Sequence, residues 1–463
     1  MGDPRSTIRL ARCVPAFAMV AALSASACSS DGTTKEATTS TVNLLSTPAA
    51  SFPSTFARQW LTTLSNSIRE DANTPAVAAR TYTYAAIGIY ESIVHGMPGY
   101  RSLAGQLNGL DSLPVPDPNL EYDWPTVLAQ TMHVSVNATY IYPLRLFYEY
   151  TTPTQAALEA LGPIQIGFRR SAGVPENVIE NSINFGTELG NALAAWMNAD
   201  GYPEVRFRGI VPPTGPDKWV PTGFYEDEMV ALPEEPWFGT VRPVVLNSGD
   251  ECRVPPPPAW GTEPGAPMYE EANVVYQTEL NLTDEEREIA NFWADGPGFT
   301  GTPAGHWLAL LTERVRSLNL ADAAAAYAYV GLGMMDAFIA VWDSKYTYHL
   351  IRPETYIRRH IDPHWKPYLT TPQHPEYPSG HAGISGAMGA LMDAYFGAAP
   401  FADPTKQRRG YRARTFNSYW EAAVEATNSR IYGGIHYPIS GANGLILGQC
   451  VANAVMTRVS FTQ

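Results

Sequence analysis

The chain has 463 residues, 45% of them hydrophobic and 16% charged, with a formal net charge of −14, 39 prolines and 37 glycines. That length allows two or three packed units or one large helical domain; the apolar fraction excludes a disordered protein, and four cysteines exclude a disulfide scaffold. The excess of acid argues against nucleic-acid binding, so any anion site must be a local concentration of Lys and Arg.

Residues 1–27 have the three parts of a bacterial export signal: a basic start with Arg5, Arg9 and Arg12, an apolar run from Val14 to Leu23, and the small residues Ala25-Ser26-Ala27. The apolar run is too short for a permanent membrane span. Small residues directly before Cys28 resemble a lipoprotein box, although Ala25 stands where that box usually has Leu. A lipid anchor at Cys28 is the expectation, with simple secretion as the alternative, and either places the protein outside the cytoplasm. Residues 28–52, rich in Ser, Thr and Ala, read as a flexible tether. Cys252 and Cys450 then remain, and an oxidising compartment permits a bridge between them; two separate buried thiols are the equal alternative.

Residues 53–202 read as an N-terminal helical bundle. Apolar residues recur at spacings of three and four from Ala76 to Ile93 and from Val178 to Met197. Residues 203–275 differ: 14 of the 39 prolines fall between 203 and 267, which excludes regular helix or central strand there. The same stretch carries Trp219, Phe224, Tyr225, Trp237, Phe238 and Trp260, too many aromatics for a disordered linker. An ordered loop segment bordering a binding site is expected, against the plainer reading of an inter-domain connector. From 276 to 463 a second helical bundle is expected, announced by the capping signature Thr283-Asp284-Glu285-Glu286 and broken at Gly296-Pro297-Gly298, Pro353 to Pro378 and Gly433 to Pro438. The longest apolar stretch, Ala321 to Trp342, contains Asp322 and Asp336 and reads as a buried helix; no other stretch reads as a membrane span, so the folded part is expected to be soluble. The fold class is therefore all-α with long irregular insertions.

Three motifs carry chemistry. Lys345 and Arg352 are seven residues apart at the end of a helical pattern that Pro353 is expected to terminate, a spacing of two turns that would put both cations on one face. Pro378-Ser379-Gly380-His381 precedes a helix of small residues, placing Ser379, the Gly380 amide and His381 at a helix N-terminus, where free N–H groups attract anions. Ser429-Arg430 is followed after five residues by His436. Taken singly these read as a solvated basic face, a serine cap and a structural histidine. Together they are the inventory a tetrahedral oxyanion needs: cations to neutralise it, a hydroxyl and an amide to fix its oxygens, and two histidines along the reacting axis.

Lys-x6-Arg-Pro, Pro-Ser-Gly-His and Ser-Arg-x5-His, in that order, resemble the signature shared by type 2 phosphatidic acid phosphatases and vanadium-dependent haloperoxidases. Further details resemble the bacterial haloperoxidase branch: Trp342 three residues before Lys345, His374 five before Ser379 as in bromoperoxidases, and Phe292-Trp293-Ala294-Asp295-Gly296-Pro297-Gly298 followed by Gly305-His306-Trp307. The membrane-embedded phosphatases of the superfamily need several spanning helices, which this sequence does not show. The resemblance implies two packed helical bundles with the site on the second. It also implies vanadate bound through His436, with phosphate as a competing occupant, and oxygens held by Lys345, Arg352, Arg430, Ser379 and the Gly380 N–H. His381 would act as acid–base and Lys345 as the polarising cation, hydrogen peroxide and halide being the substrates, with bromide favoured through His374. Asp295 would pair with Arg430. One position departs from the family: Ser440 stands where an Asp usually orients the last histidine, which weakens the expected support of His436 unless Asn443 or a backbone carbonyl substitutes. Two alternatives use the same residues. In an exported acid phosphatase acting on phosphate esters, His436 would attack phosphorus and His381 protonate the leaving alcohol; a lipoprotein could also retain a non-catalytic anion pocket.

Overall fold

The computed structural model describes residues 43, 45–141, 143, 151–222 and 232–463. The expected export signal, Cys28 and most of the tether lie outside them. In chain order the principal helices are α1 (Thr55–Glu70), α2 (Pro75–Ile93), α3 (Trp124–Val136), α4 (Pro153–Ser171) and α5 (Glu176–Asn198), then α6 (Pro267–Leu280), α7 (Asp284–Phe292), α8 (Thr302–Arg314), α9 (Leu320–Tyr348), α10 (Pro353–His360), α11 (Gly380–Phe396), α12 (Tyr419–Tyr432) and α13 (Pro438–Arg458). Their starts follow from sequence chemistry. Thr283 and Glu286 form the expected capping box, Thr152 and Gln155 form a second, and Asn319, Ser379 and Ser418 each accept a backbone N–H in the first turn.

α9 is the axis of the fold. It is apolar nearly all round, as a helix enclosed by protein must be, with α2 on one side and α11 and α13 on another. Among the described residues α9 and α13 are long and apolar enough to cross a membrane; α9 is almost wholly buried, while half of the most apolar window of α13 is. α11 and α13 approach closely because both present glycines at the contact. A Cβ at Gly386 would lie 2.8 Å from Leu445 O, and one at Gly448 would run into Gly383 O and the Ala387 amide. One continuous core runs from Trp60 and Tyr82 through α9 to Val455.

The segment 203–275 is ordered where described, without long helix until α6. Asp336 of α9, fully buried, accepts the backbone N–H groups of Val244, Val245 and Leu246 at 2.7–2.8 Å. Cys252 is bridged to Cys450 of α13, Cα to Cα 5.8 Å, which settles the choice left open by the sequence.

Two expectations need correction. α9 ends at Tyr348, where His349 turns left-handed (φ 51°), so Lys345 and Arg352 do not share a helix face. Arg352 is the extended N-cap of α10 (φ −77°, ψ 152°), as a following proline favours, and Pro353 starts that helix instead of only ending the one before. The helical pattern also lapses after α11, where β1 (Phe401–Asp403) and β2 (Arg414–Phe416) form a small antiparallel pair in the register Phe401↔Phe416. Gly397, at φ 79°, ends α11, and Pro400 and Pro404 prevent its resumption.

Candidate active site

The three motifs converge on one cavity of about 330 Å³. Gly380, His381, Arg430, His436, His374, Trp342 and Asp295 line it. Lys345, Arg352 and Ser379 are fully buried immediately behind that lining. The close packing of α11 on α13 fixes the distance between the turn holding Ser379 to His381 and the turn holding His436; the Ser379 amide donates to Ser440 O at 3.1 Å across the same contact.

His436 sits just before α13. Its Nδ1 is 2.7 Å from Glu376 Oε1, and its Nε2 is 3.3 Å from Arg352 Nη1. Burial first, then Arg352 and Lys345, holds its pKa well below the usual range, so the ring is neutral. Glu376 Oε1 also receives the Tyr437 amide and so is an acceptor, and the Arg352 guanidinium facing Nε2 can only donate, so Nδ1 carries the hydrogen and Nε2 keeps its lone pair. Sequence reasoning missed Glu376. It also receives the Tyr437 amide at 3.0 Å, and it takes the role sought at position 440, where Ser440 Oγ is 3.5 Å from the same Nδ1. Asn443 does not substitute; it donates to Tyr377 Oη at 2.6 Å. The one available signal was an acid inside the proline-rich run His374-Pro375-Glu376-Tyr377-Pro378 of a weakly charged chain.

Arg352 is locked by His374 O (3.0 Å), Ile435 O (2.9 Å) and His374 Nδ1 (2.9 Å). His374 Nδ1 also lies 3.1 Å from Pro375 O, but a guanidinium can only donate, so Nδ1 is the acceptor and the proton of that ring sits on Nε2. The His374 ring lies 5.0 Å from that of Trp342. Lys345 Nζ donates to the carbonyls of Pro375 (2.9 Å) and Glu376 (2.8 Å). Arg430 donates to Ser429 Oγ (2.9 Å) and Ala290 O (3.3 Å), leaving most of its fork toward the cavity. Ser379 caps its own helix, with the Ala382 amide 3.4 Å from Oγ. His381 Nε2 donates to Trp293 O at 3.1 Å, which leaves Nδ1 as the basic nitrogen of the neutral ring.

Asp295 does not hydrogen-bond Arg430 as the resemblance implied. His306 and Lys406 take its oxygens, and it acts on Arg430 only through its charge. Of the described part of 203–275, Glu234 reaches the cavity, fixed by the Trp342 indole (3.2 Å) and Tyr346 hydroxyl (2.7 Å) on its carbonyl. The rest of the lining includes Pro75, Pro297, Phe299, Leu369 and Arg409; Phe224 and Tyr225 lie outside the described residues.

Burial pulls Arg352 and Arg430 down to about 10 and Lys345 well below its ordinary value, and pushes Glu376 and Glu234 up to about 7. Asp295 is already committed to His306 and Lys406. The cavity is therefore short of negative charge, the condition that an oxyanion relieves.

Fold and site together define a helical protein whose cavity gathers three histidines and Arg430, with Lys345 and Arg352 buried behind its lining. A family model described as the second helical-bundle domain of VCPO matches residues 325–462. A crystal structure described as the first bacterial vanadium-dependent iodoperoxidase is similar at TM-score 0.79 and 31% identity, over 89% of this chain and 98% of that one. An apo-type bacterial vanadium-dependent chloroperoxidase shares the fold at TM-score 0.58 and 12% identity, over 84% and 95%. The vanadium chloroperoxidase of Curvularia inaequalis is 26% identical over 215 residues, 33% of this chain but 35% of that protein, so the alignment spans about a third of this curated relative. The chain belongs to the vanadium-dependent haloperoxidase family.

Proposed function

We propose that this chain binds vanadate in the cavity and oxidises halide with hydrogen peroxide. The observation that carries this reading is the His436–Glu376 pair, which keeps a lone pair on Nε2 at the cavity, with Arg430 in the lining and Lys345 and Arg352 buried behind it. The donor set fits: Nε2 as ligand, Lys345, Arg352 and Arg430 around the oxygens, and the Gly380 amide with the Ser379 hydroxyl at the helix N-terminus. Gly380 also matters for its missing side chain, because a Cβ there would stand in the cavity 3.7 Å from Trp342. When bound, vanadate supplies a Lewis acid that activates peroxide for halide attack without changing oxidation state. Glu376 holds the His436 tautomer and raises the basicity of Nε2. His381, anchored through Nε2–H, offers Nδ1 to take the proton of entering peroxide and return it to the departing oxygen. Lys345, with two of its N–H groups fixed by carbonyls, would have its third N–H available for an oxygen of the bound group.

The relative described as an iodoperoxidase makes iodide the first halide to assay, and bromide, favoured by His374, the second. Export to the cell envelope through Cys28 rests on the N-terminal pattern, and the Cys252–Cys450 bridge supports an oxidising compartment. The test is peroxide-dependent halide oxidation by orthovanadate-loaded protein, expected to vanish when phosphate displaces vanadate. No halide oxidation, together with vanadate-free hydrolysis of a phosphate monoester, would select the phosphatase.

A further inference from the structure

Behind His381 lies a second polar cluster that this chemistry does not use. His306 of α8 is fully buried, with Nδ1 2.8 Å from Asp295 Oδ2 and Nε2 2.8 Å from Asp403 Oδ2. A neutral imidazole has one N–H and one lone pair, so a ring between two carboxylates must carry hydrogen on both nitrogens. Thr405 Oγ, 2.9 Å from Nε2, does not alter this, because its own hydrogen goes to Asp403 Oδ1 at 2.6 Å. Neither carboxyl is the one protonated: burial raises both, but Lys406 and His306 bring Asp295, and His306 brings Asp403, below the ordinary range. For His306, burial and Lys406 act downward and the two carboxylates more than reverse them. Lys406 is ion-paired to the other oxygen of Asp295. Two carboxylates, one ammonium and one imidazolium leave the cluster neutral.

This cluster leans on the active site through one turn. The His306 ring stacks on Trp293, centroids 4.5 Å apart at 27°, and Trp293 Nε1 is tied to Glu425 at 3.0 Å. The Trp293 carbonyl receives the Nε2–H of His381. Two residues on, Asp295 acts by charge on both His381 and Arg430. We propose that His306 is a positioning residue, a fixed imidazolium that clamps the Trp293–Asp295 turn and thereby sets both the tautomer and the local field of His381. This rests on the acid–base role given to His381 above.

Histidine-selective ¹⁵N NMR of the purified full chain tests it without turnover. His306 is expected to show two protonated nitrogens throughout pH 5–9, and His381 a protonated Nε2 with an unprotonated Nδ1. His306→Gln leaves the cluster with one excess negative charge, so the His381 titration moves to higher pH, on the order of one unit, and its tautomers mix. Asp403→Asn leaves one excess positive charge and moves the titration the other way; the double variant returns it toward the original. Opposite signs separate positioning by charge from loss of structure, and Asp403→Asn alone decides the matter if His306→Gln does not fold. A neutral His306 ring, or folded variants with an unchanged His381 titration, would overturn the proposal. Absence of halide oxidation in the unaltered protein would instead overturn the functional reading.

Discussion

Glu376 supports His436 from a position that no motif marks. Replacing it by Gln keeps the shape but removes the charge that Glu376 carries behind Nδ1 above about pH 7, and vanadate affinity at pH 8 is expected to fall about 10–100-fold, measured by equilibrium dialysis. Stability should respond differently. A carboxyl whose pKa is raised to about 7 on folding holds a proton that the unfolded chain releases, so its stabilising contribution is complete below its ordinary value and is lost as pH rises through 7. Glu376→Gln is therefore expected to unfold at higher denaturant than the unaltered protein at pH 8, by up to roughly 3 kcal/mol, and to show no such gain at pH 4. Ser440→Asp puts a second carboxylate beside Glu376 and is expected to leave affinity unchanged or lower; tighter binding would mean that His436 lacks support as it stands. Lys345, Arg352, Ser379, Gly380, Arg430 and His436 were legible because each lies inside a short motif. Glu376 and Asp403 were not, since their partners His436 and His306 are 60 and 97 residues away and only the tertiary fold makes the pairing.

At the scale of elements, the crossing of α11 and α13 sets the cradle. Gly448→Ala pushes a methyl group into the backbone of α11, which cannot yield as a side chain would; a loss of about 1–3 kcal/mol in denaturant unfolding is expected, with weaker vanadate binding. Gly167→Ala within α4 meets nothing within 4 Å and is expected to stabilise by about 0.5–1 kcal/mol, leaving binding unaltered. The long helices were legible from their periodicity, and the small residues after Ser379 did form a helix. α10 and the β1–β2 pair were not. A proline reads as a break in sequence, yet at N1 it begins a helix, and strands of three residues are too short to display alternation.

For the whole molecule, the acidic balance and the cationic site are compatible because the site is buried and its charge is local. The bridge between Cys252 and Cys450 spans 198 residues, tying the proline-rich segment to α13. In the chain-entropy account a loop of that size is worth about 5 kcal/mol, so the double serine variant is expected to unfold at markedly lower denaturant, and reduction of the unaltered protein should reproduce the loss. The ordered character of the segment was legible from its aromatics; its anchoring on Asp336 was not, because a carboxylate inside an apolar helix does not name its partners. The central claim is that His436, backed by Glu376, holds vanadate among three buried cations. Equilibrium dialysis of orthovanadate against the unaltered protein and folded His436→Ala tests it most directly. One vanadate per chain, displaced by phosphate and lost in the variant, is the expected result; equal binding by both proteins would contradict it.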